Sequence, residues 1–63
     1  MMCASNVYLV KGEDEQLVMK DVAEIRVEGG KLLLTGLLGE KKEIEAELVR
    51  LDLEGHAIYI RER

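Results

Sequence analysis

Sixty-three residues carry 9 Lys and Arg against 13 Asp and Glu, a formal net charge of −4, with one Cys, one His and no Pro. A chain this short makes a single domain, 1–63, and buries only roughly 60% of its unfolded surface, so it calls for an added source of stability. One cysteine excludes an internal disulfide, and the acidic balance argues against unaided binding to a phosphate backbone, where affinity comes mainly from Lys and Arg.

The first apolar run is Val7-Tyr8-Leu9-Val10. It ends at Lys11-Gly12-Glu13-Asp14-Glu15, a polar stretch with a glycine that reads as a hairpin loop, and Leu17-Val18-Met19 follows. Next, Ala23, Ile25 and Val27 alternate with Glu24, Arg26 and Glu28. That period of two predicts a strand with one wet face. Gly29-Gly30 suits a tight hairpin, because the favoured two-residue turns need positive φ. In Lys31-Leu32-Leu33-Leu34-Thr35, Leu33 breaks the alternation, which predicts a strand covered on both faces, by the fold and by a partner.

Residues 36–42 read as a loop or a bent strand end. Residues 43–54 are ambiguous. Ile44, Leu48 and Leu51 sit at helical spacing, yet Ile44, Ala46 and Leu48 alternate, and Val49, Leu51 and Leu53 alternate in the opposite phase. A slip of one residue between Leu48 and Val49 is what a β-bulge produces, so two strand segments joined by a bulge are preferred. Gly55-His56 turns into Ala57-Ile58-Tyr59-Ile60, with Ile58 and Ile60 inward. The expected fold is all-β: five or six short strands rolled into a small SH3-like or Sm-like sheet or barrel, which removes most exposed edges.

No apolar run is long enough to span a bilayer. The start, Met1-Met2-Cys3-Ala4-Ser5-Asn6, lacks the regions of a secretory signal, and a lone free thiol suits a reducing compartment. The expected location is the cytoplasm. With a disulfide excluded, stability is expected from a metal at Cys3, a homodimer, or both, and an apolar face or unpaired edge is the place for a second copy.

No Ser-His-Asp set, phosphate loop or dinucleotide fingerprint is present, so an enzyme is not expected. Three adjacent acids, Glu13, Asp14 and Glu15, read as a solvated hairpin tip, and the Gly29-Gly30 and Gly36…Gly39 pairs as turns. Arg61, Arg63, Lys41 and Lys42 most simply read as solvated surface charge. A stacking platform for single-stranded nucleic acid has one candidate, Tyr59 beside Arg61. Cys3 stands apart, because it precedes the first strand in a segment free of bulk. A thiolate is a soft ligand suited to nickel, copper(I), zinc or iron. One thiol cannot fill a coordination sphere, so further ligands must be backbone nitrogens, His56 or the same groups of a second subunit. Two Cys3 residues at a two-fold axis would give a two-sulfur, two-nitrogen set suited to square-planar nickel(II). On the residues alone, an N-terminal cysteine without a role is the commoner case. So is a turn histidine on the surface.

Several stretches together resemble the CooT family, small proteins associated with nickel handling for carbon monoxide dehydrogenase and often labelled predicted RNA-binding proteins. They are Met2-Cys3-Ala4-Ser5-Asn6-Val7-Tyr8-Leu9, Asp21-Val22 with Glu28-Gly29-Gly30, Leu38-Gly39-Glu40, and Leu51-Asp52-Leu53 with His56 and Ile58. The resemblance runs nearly the whole chain. It implies an Sm-like or SH3-like fold, a homodimer, and Ni(II) bound through the cysteine after the initiator methionine, a position that maps onto Cys3. In the family that cysteine is second, here it is third, which displaces the N-terminal amine by one residue if Met1 is native. A nickel-binding accessory protein, whether metallochaperone, storage protein or sensor, is therefore the leading expectation. An Sm-like RNA-binding module is the alternative, with little support from the charge.

Overall fold

A computed structural model describes residues 4–63. Among them the chain forms six strands, β1 (Ser5–Lys11), β2 (Asp14–Glu28), β3 (Lys31–Gly36), β4 (Lys41–Ile44), β5 (Ala46–Asp52) and β6 (Ala57–Glu62). They lie in one sheet in the order β4-β3-β2-β1-β6-β5. All neighbours are antiparallel except β1 and β6, which run parallel.

The hairpin loop after β1 tightens to a turn at Gly12 and Glu13, and Leu17-Val18-Met19 and the alternating segment join into the fifteen-residue β2. The two halves of β2 have different neighbours. β1 pairs with residues 14–22 and β3 with residues 22–28, on the opposite edge. The ladder slips at the join, where Asp21 takes a φ of 53°. The bulged corner bends the strand, as bulges do.

Because β1 leaves β2 at Val22, β3 is the only strand paired with the far half of β2 among the described residues. The expected dry face of Ala23, Ile25 and Val27 is therefore only partly covered, although Ile25 and Val27 lie opposite the core residues Leu34 and Leu32 and Ile25 packs against the core. Ala23 is exposed, Ile25 half-buried, and Val27 is 62% exposed. Gly29 and Gly30 make the predicted tight turn, with φ of 53° and 81°, values that a residue with a Cβ rarely adopts.

Strands β4 and β5 occupy opposite edges of the sheet, yet Glu45 alone joins them. One residue bridges the two edges only if the sheet curls until they meet. The curled sheet is a half-barrel, all-β as expected, with six strands. Arg63 N–H donates to the Glu45 carbonyl at 3.3 Å, tying the end of β6 to this corner. The sequence placed both segments of residues 43–54 on one long strand bent at Val49. The structure instead separates them at Glu45 and keeps the bulge inside β5. There, Leu48 opposes Ile60 and Arg50 opposes Tyr59, so Val49 is the extra residue.

The core lines the inside of the curl: Val7 and Leu9 from β1, Val22, Leu32 and Leu34, Ala46, and Ile60, with Ile25, Ile44 and Ile58 packed against it. Leu32, Leu34, Ile60 and Val7 are essentially fully buried. Leu33 faces the other way, half-buried between Arg26 and Glu43 on the neighbouring strands. Glu24, Glu28, Lys31 and Glu43 ring it with ion pairs at 3.3–4.0 Å. Within the chain, the stems of such charged side chains shield part of this apolar surface while their heads stay wet, and Leu33 still lines an open groove with Glu24, Arg26, Lys41, Lys42 and Glu43.

Candidate functional site

The parallel pairing of β1 and β6 brings the beginnings of both strands to one end of the half-barrel, next to the β2 corner. Asn6 N–H donates to the His56 carbonyl at 2.9 Å. The Asn6 side-chain Oδ1 accepts from Asp21 N–H at 3.2 Å, and Leu37 N–H donates to the Asp21 carbonyl at 3.0 Å. The start of β1 is thus tied to the corner of β2, the β3–β4 turn and the β5–β6 turn. Asp52 closes the last of these by accepting from Gly55 N–H at 3.0 Å. A Cβ on Gly55 would sit 2.8 Å from an Asp52 carboxylate oxygen, so any other residue there would push the carboxylate aside.

An apolar groove of about 300 Å³ opens beside this end, lined by Ser5, Val22, Ala23, Ile25, Leu48, Leu51 and Ile58. Its walls are the far half of β2 and the inward residues of β5 and β6. Leu51 is 54% exposed at its rim, and the turn residues Leu38 and Leu53 are 91% and 81% exposed. The bulge decides the composition of the wall. By turning Val49 out of register, it places Leu48 and Leu51 across from Ile60 and Ile58, on one face.

The outer face of the sheet carries the residues considered for nucleic acid. Tyr8 and Tyr59 stack with ring centroids 5.5 Å apart, and the Arg50 guanidinium lies 4.0 Å from the centre of the Tyr59 ring. Since β6 lies between β1 and β5, Tyr8 and Arg50 cover Tyr59 from opposite sides. Such a sandwich stabilises the sheet. A nucleic-acid base could stack on Tyr59 only after displacing one of them. The Arg61 guanidinium is also engaged, donating to Glu47 Oε2 from Nε at 3.1 Å. That hydrogen bond, and the charge of Arg61, hold the Glu47 carboxyl below its ordinary range. The preferred bulge already turns Arg50 away from Leu51, but the β5–β6 register that sets it on Tyr59 is not legible in the sequence. The Leu48/Val49 phase slip was the signal for that bulge.

Cys3 lies outside the described residues. His56 sits where expected, in the turn before β6 and exposed. Among the described residues, no three His, Cys, Asp or Glu side chains gather as a metal site. No helix among them is long and apolar enough to cross a membrane.

The fold and its end define a small all-β half-barrel with an open apolar mouth and tethered turns. The chain belongs to the CooT family, the CO dehydrogenase accessory proteins, whose model matches residues 2–61. A crystal structure from Carboxydothermus hydrogenoformans assigned as CooT superposes with a TM-score of 0.92 at 30% identity, covering 97% of this chain and 98% of that one. An uncharacterized protein of Methanocaldococcus jannaschii is 36% identical over 59 residues, 94% of this chain and 96% of that protein. Another, from Methanothermobacter thermautotrophicus, is 41% identical over 59 residues, 94% and 88% of the two chains. The family is one of accessory proteins of CO dehydrogenase.

Proposed function

We propose that this accessory protein binds nickel(II) as cargo, through the Cys3 thiolate and as a homodimer, for carbon monoxide dehydrogenase or another nickel enzyme. The observation that carries the reading is the position of the groove. Ser5 lines it, and Ser5 is two residues from Cys3. Two residues span at most about 7 Å, so a partner seated in the groove and Cys3 are neighbours by chain length alone.

The described side chains assemble no metal site of their own, so the donors must be recruited around Cys3. A thiolate with nitrogen donors suits nickel(II). A second copy related by a two-fold axis through the groove brings its own Cys3 to the same end of the assembly, doubling the thiolates. It also covers Ile25, Leu48, Leu51 and Ile58, the residues that a lone half-barrel leaves open.

Anaerobic titration of the purified protein with Ni(II) tests this. A sulfur-to-nickel charge-transfer band should grow to a stoichiometry of one ion per dimer, and Cys3→Ser should abolish it. Equal affinity in Cys3→Ser refutes the reading.

A further inference from the structure

A half-barrel has open edges, and this chain guards them unequally. Strand β4 is four residues long and carries Lys41 and Lys42, and β5 is bent by the bulge at Val49. The near half of β2 shows Asp14, Glu15 and Lys20 along the side that β3 does not reach. Short length, lysines and bulges each keep an edge from pairing with another chain. The far half of β2 has none of these. Among the described residues, no strand pairs with residues 23–27 on the side where β1 departs. From Glu24 to Glu28 the register with β3 is unbroken. Ala23, Ile25 and Val27 share the inner face, and Val27 is 62% exposed. Glu24, Arg26 and Glu28 share the outer face and alternate in sign.

That alternation makes the edge complementary to itself in one register. Two copies meeting antiparallel about a two-fold axis must keep the apolar faces together, because a slip of one residue sets Ile25 against Arg26. An axis at Arg26 opposes Arg26 to itself and Glu24 to Glu28, and an axis at Glu24 opposes Glu24 to itself. Like charges directly opposite are destabilising. An axis at Val27 leaves only residues 26–28 to pair before the Gly29-Gly30 turn. An axis at Ile25 opposes Ile25 to the partner's Ile25, Ala23 to the partner's Val27, and Glu24 to the partner's Arg26, twice over by symmetry.

We propose that residues 23–27 of β2 pair with the same residues of a second copy, antiparallel about a two-fold axis at Ile25, so that the two half-barrels share one continuous sheet. This rests on the homodimer of the reading above and not on its metal. Ile25 also lines the apolar groove, so the axis falls on the groove wall. Main-chain hydrogen bonds of the added strand supply the affinity. Val27 gains an apolar neighbour, and the two Glu–Arg pairs set the register.

Sedimentation of the parent, Arg26→Glu and Glu24→Arg tests this, with circular dichroism as the check on folding. Each variant alone sets like charges opposite one another on both sides of the axis and should dimerise about tenfold more weakly. An equimolar mixture should recover the parent's dimer, because the introduced arginine of one chain then faces the introduced glutamate of the other. No rearrangement within one chain gives that recovery. In the Cys3→Ser background, Ile25→Cys should form a disulfide-linked dimer on mild oxidation, since residues opposite each other at the axis lie in disulfide range. Val49→Cys, on the β5 edge, should not. If a charge variant does not fold, the cross-link carries the test. A dimeric parent whose folded variants dimerise equally well, or do not recover on mixing, overturns the edge pairing and leaves the homodimer standing. Equal cross-linking at Ile25 and Val49, or none at Ile25, does the same. A parent that stays monomeric overturns the homodimer, and this inference with it.

Discussion

Single-residue deletions in two strands should have very different costs, and the register of the sheet says why. Val49 opposes nothing: Leu48 faces Ile60, and Arg50 faces Tyr59. Deleting Val49 turns the bulge into regular strand and leaves every cross-strand partner in β5 on its present face. The loss is the burial of a valine that is 46% exposed, about half of a full side chain's contribution, or about 1 kcal/mol. Deleting Leu33 instead puts Leu32 and Leu34 next to each other, so one of them must face outward. Both are essentially fully buried, and losing either costs about 2–5 kcal/mol. The ladders to β2 and β4 shift as well. A 63-residue domain has about 3–9 kcal/mol in total at the usual stability per residue. Urea denaturation followed by circular dichroism separates the cases. With a slope of about 1 kcal/mol/M, the Val49 deletion should move the midpoint by about 1 M and keep a single cooperative transition. The Leu33 deletion should show no folded baseline. If both deletions unfold the chain, or both leave it equally stable, the bulge is not where the register puts it.

Charge in the groove should prevent the proposed dimer: if the parent sediments as a dimer, Leu51→Glu is expected to sediment as a folded monomer, and a persistent dimer would place the interface elsewhere. The Arg61–Glu47 pair predicts a small acid sensitivity. The folded Glu47 carboxyl lies below its ordinary value, so its contribution is present above about pH 4.5 and fades as pH falls through the lower folded value. Glu47→Gln should therefore flatten the acid limb of the stability curve, and an unchanged limb contradicts the pair; at this exposure the effect is small. Arg50→Ala should cost about 0.5–1 kcal/mol through loss of the contact with Tyr59. No change in the melting midpoint would mean that the guanidinium does not rest on the ring.

Alternation and turn chemistry were local, and local signals carried the all-β class, the Gly29-Gly30 hairpin, the inward Ile58 and Ile60, and the slip at Val49. Each depends on the side-chain period of two or on a φ that glycine tolerates. The resemblance around Met2-Cys3 and Asp52…His56 also lay in the chain itself, and the family match over residues 2–61 agrees with it. The partners of each strand were a different matter. The alternation of Ala23, Ile25 and Val27 says that one face is apolar but not what covers it. The answer depends on β1 leaving β2 at Val22, a pairing between distant segments. The same holds for Glu45, an ordinary residue in sequence that closes the half-barrel because β4 and β5 meet there in space. Asn6 became more than the second residue of a strand only when the pairing of β1 with β2 and β6 set it beside Asp21 and His56. Periodicity is a property of neighbours along the chain, whereas cover, closure and convergence belong to neighbours across it.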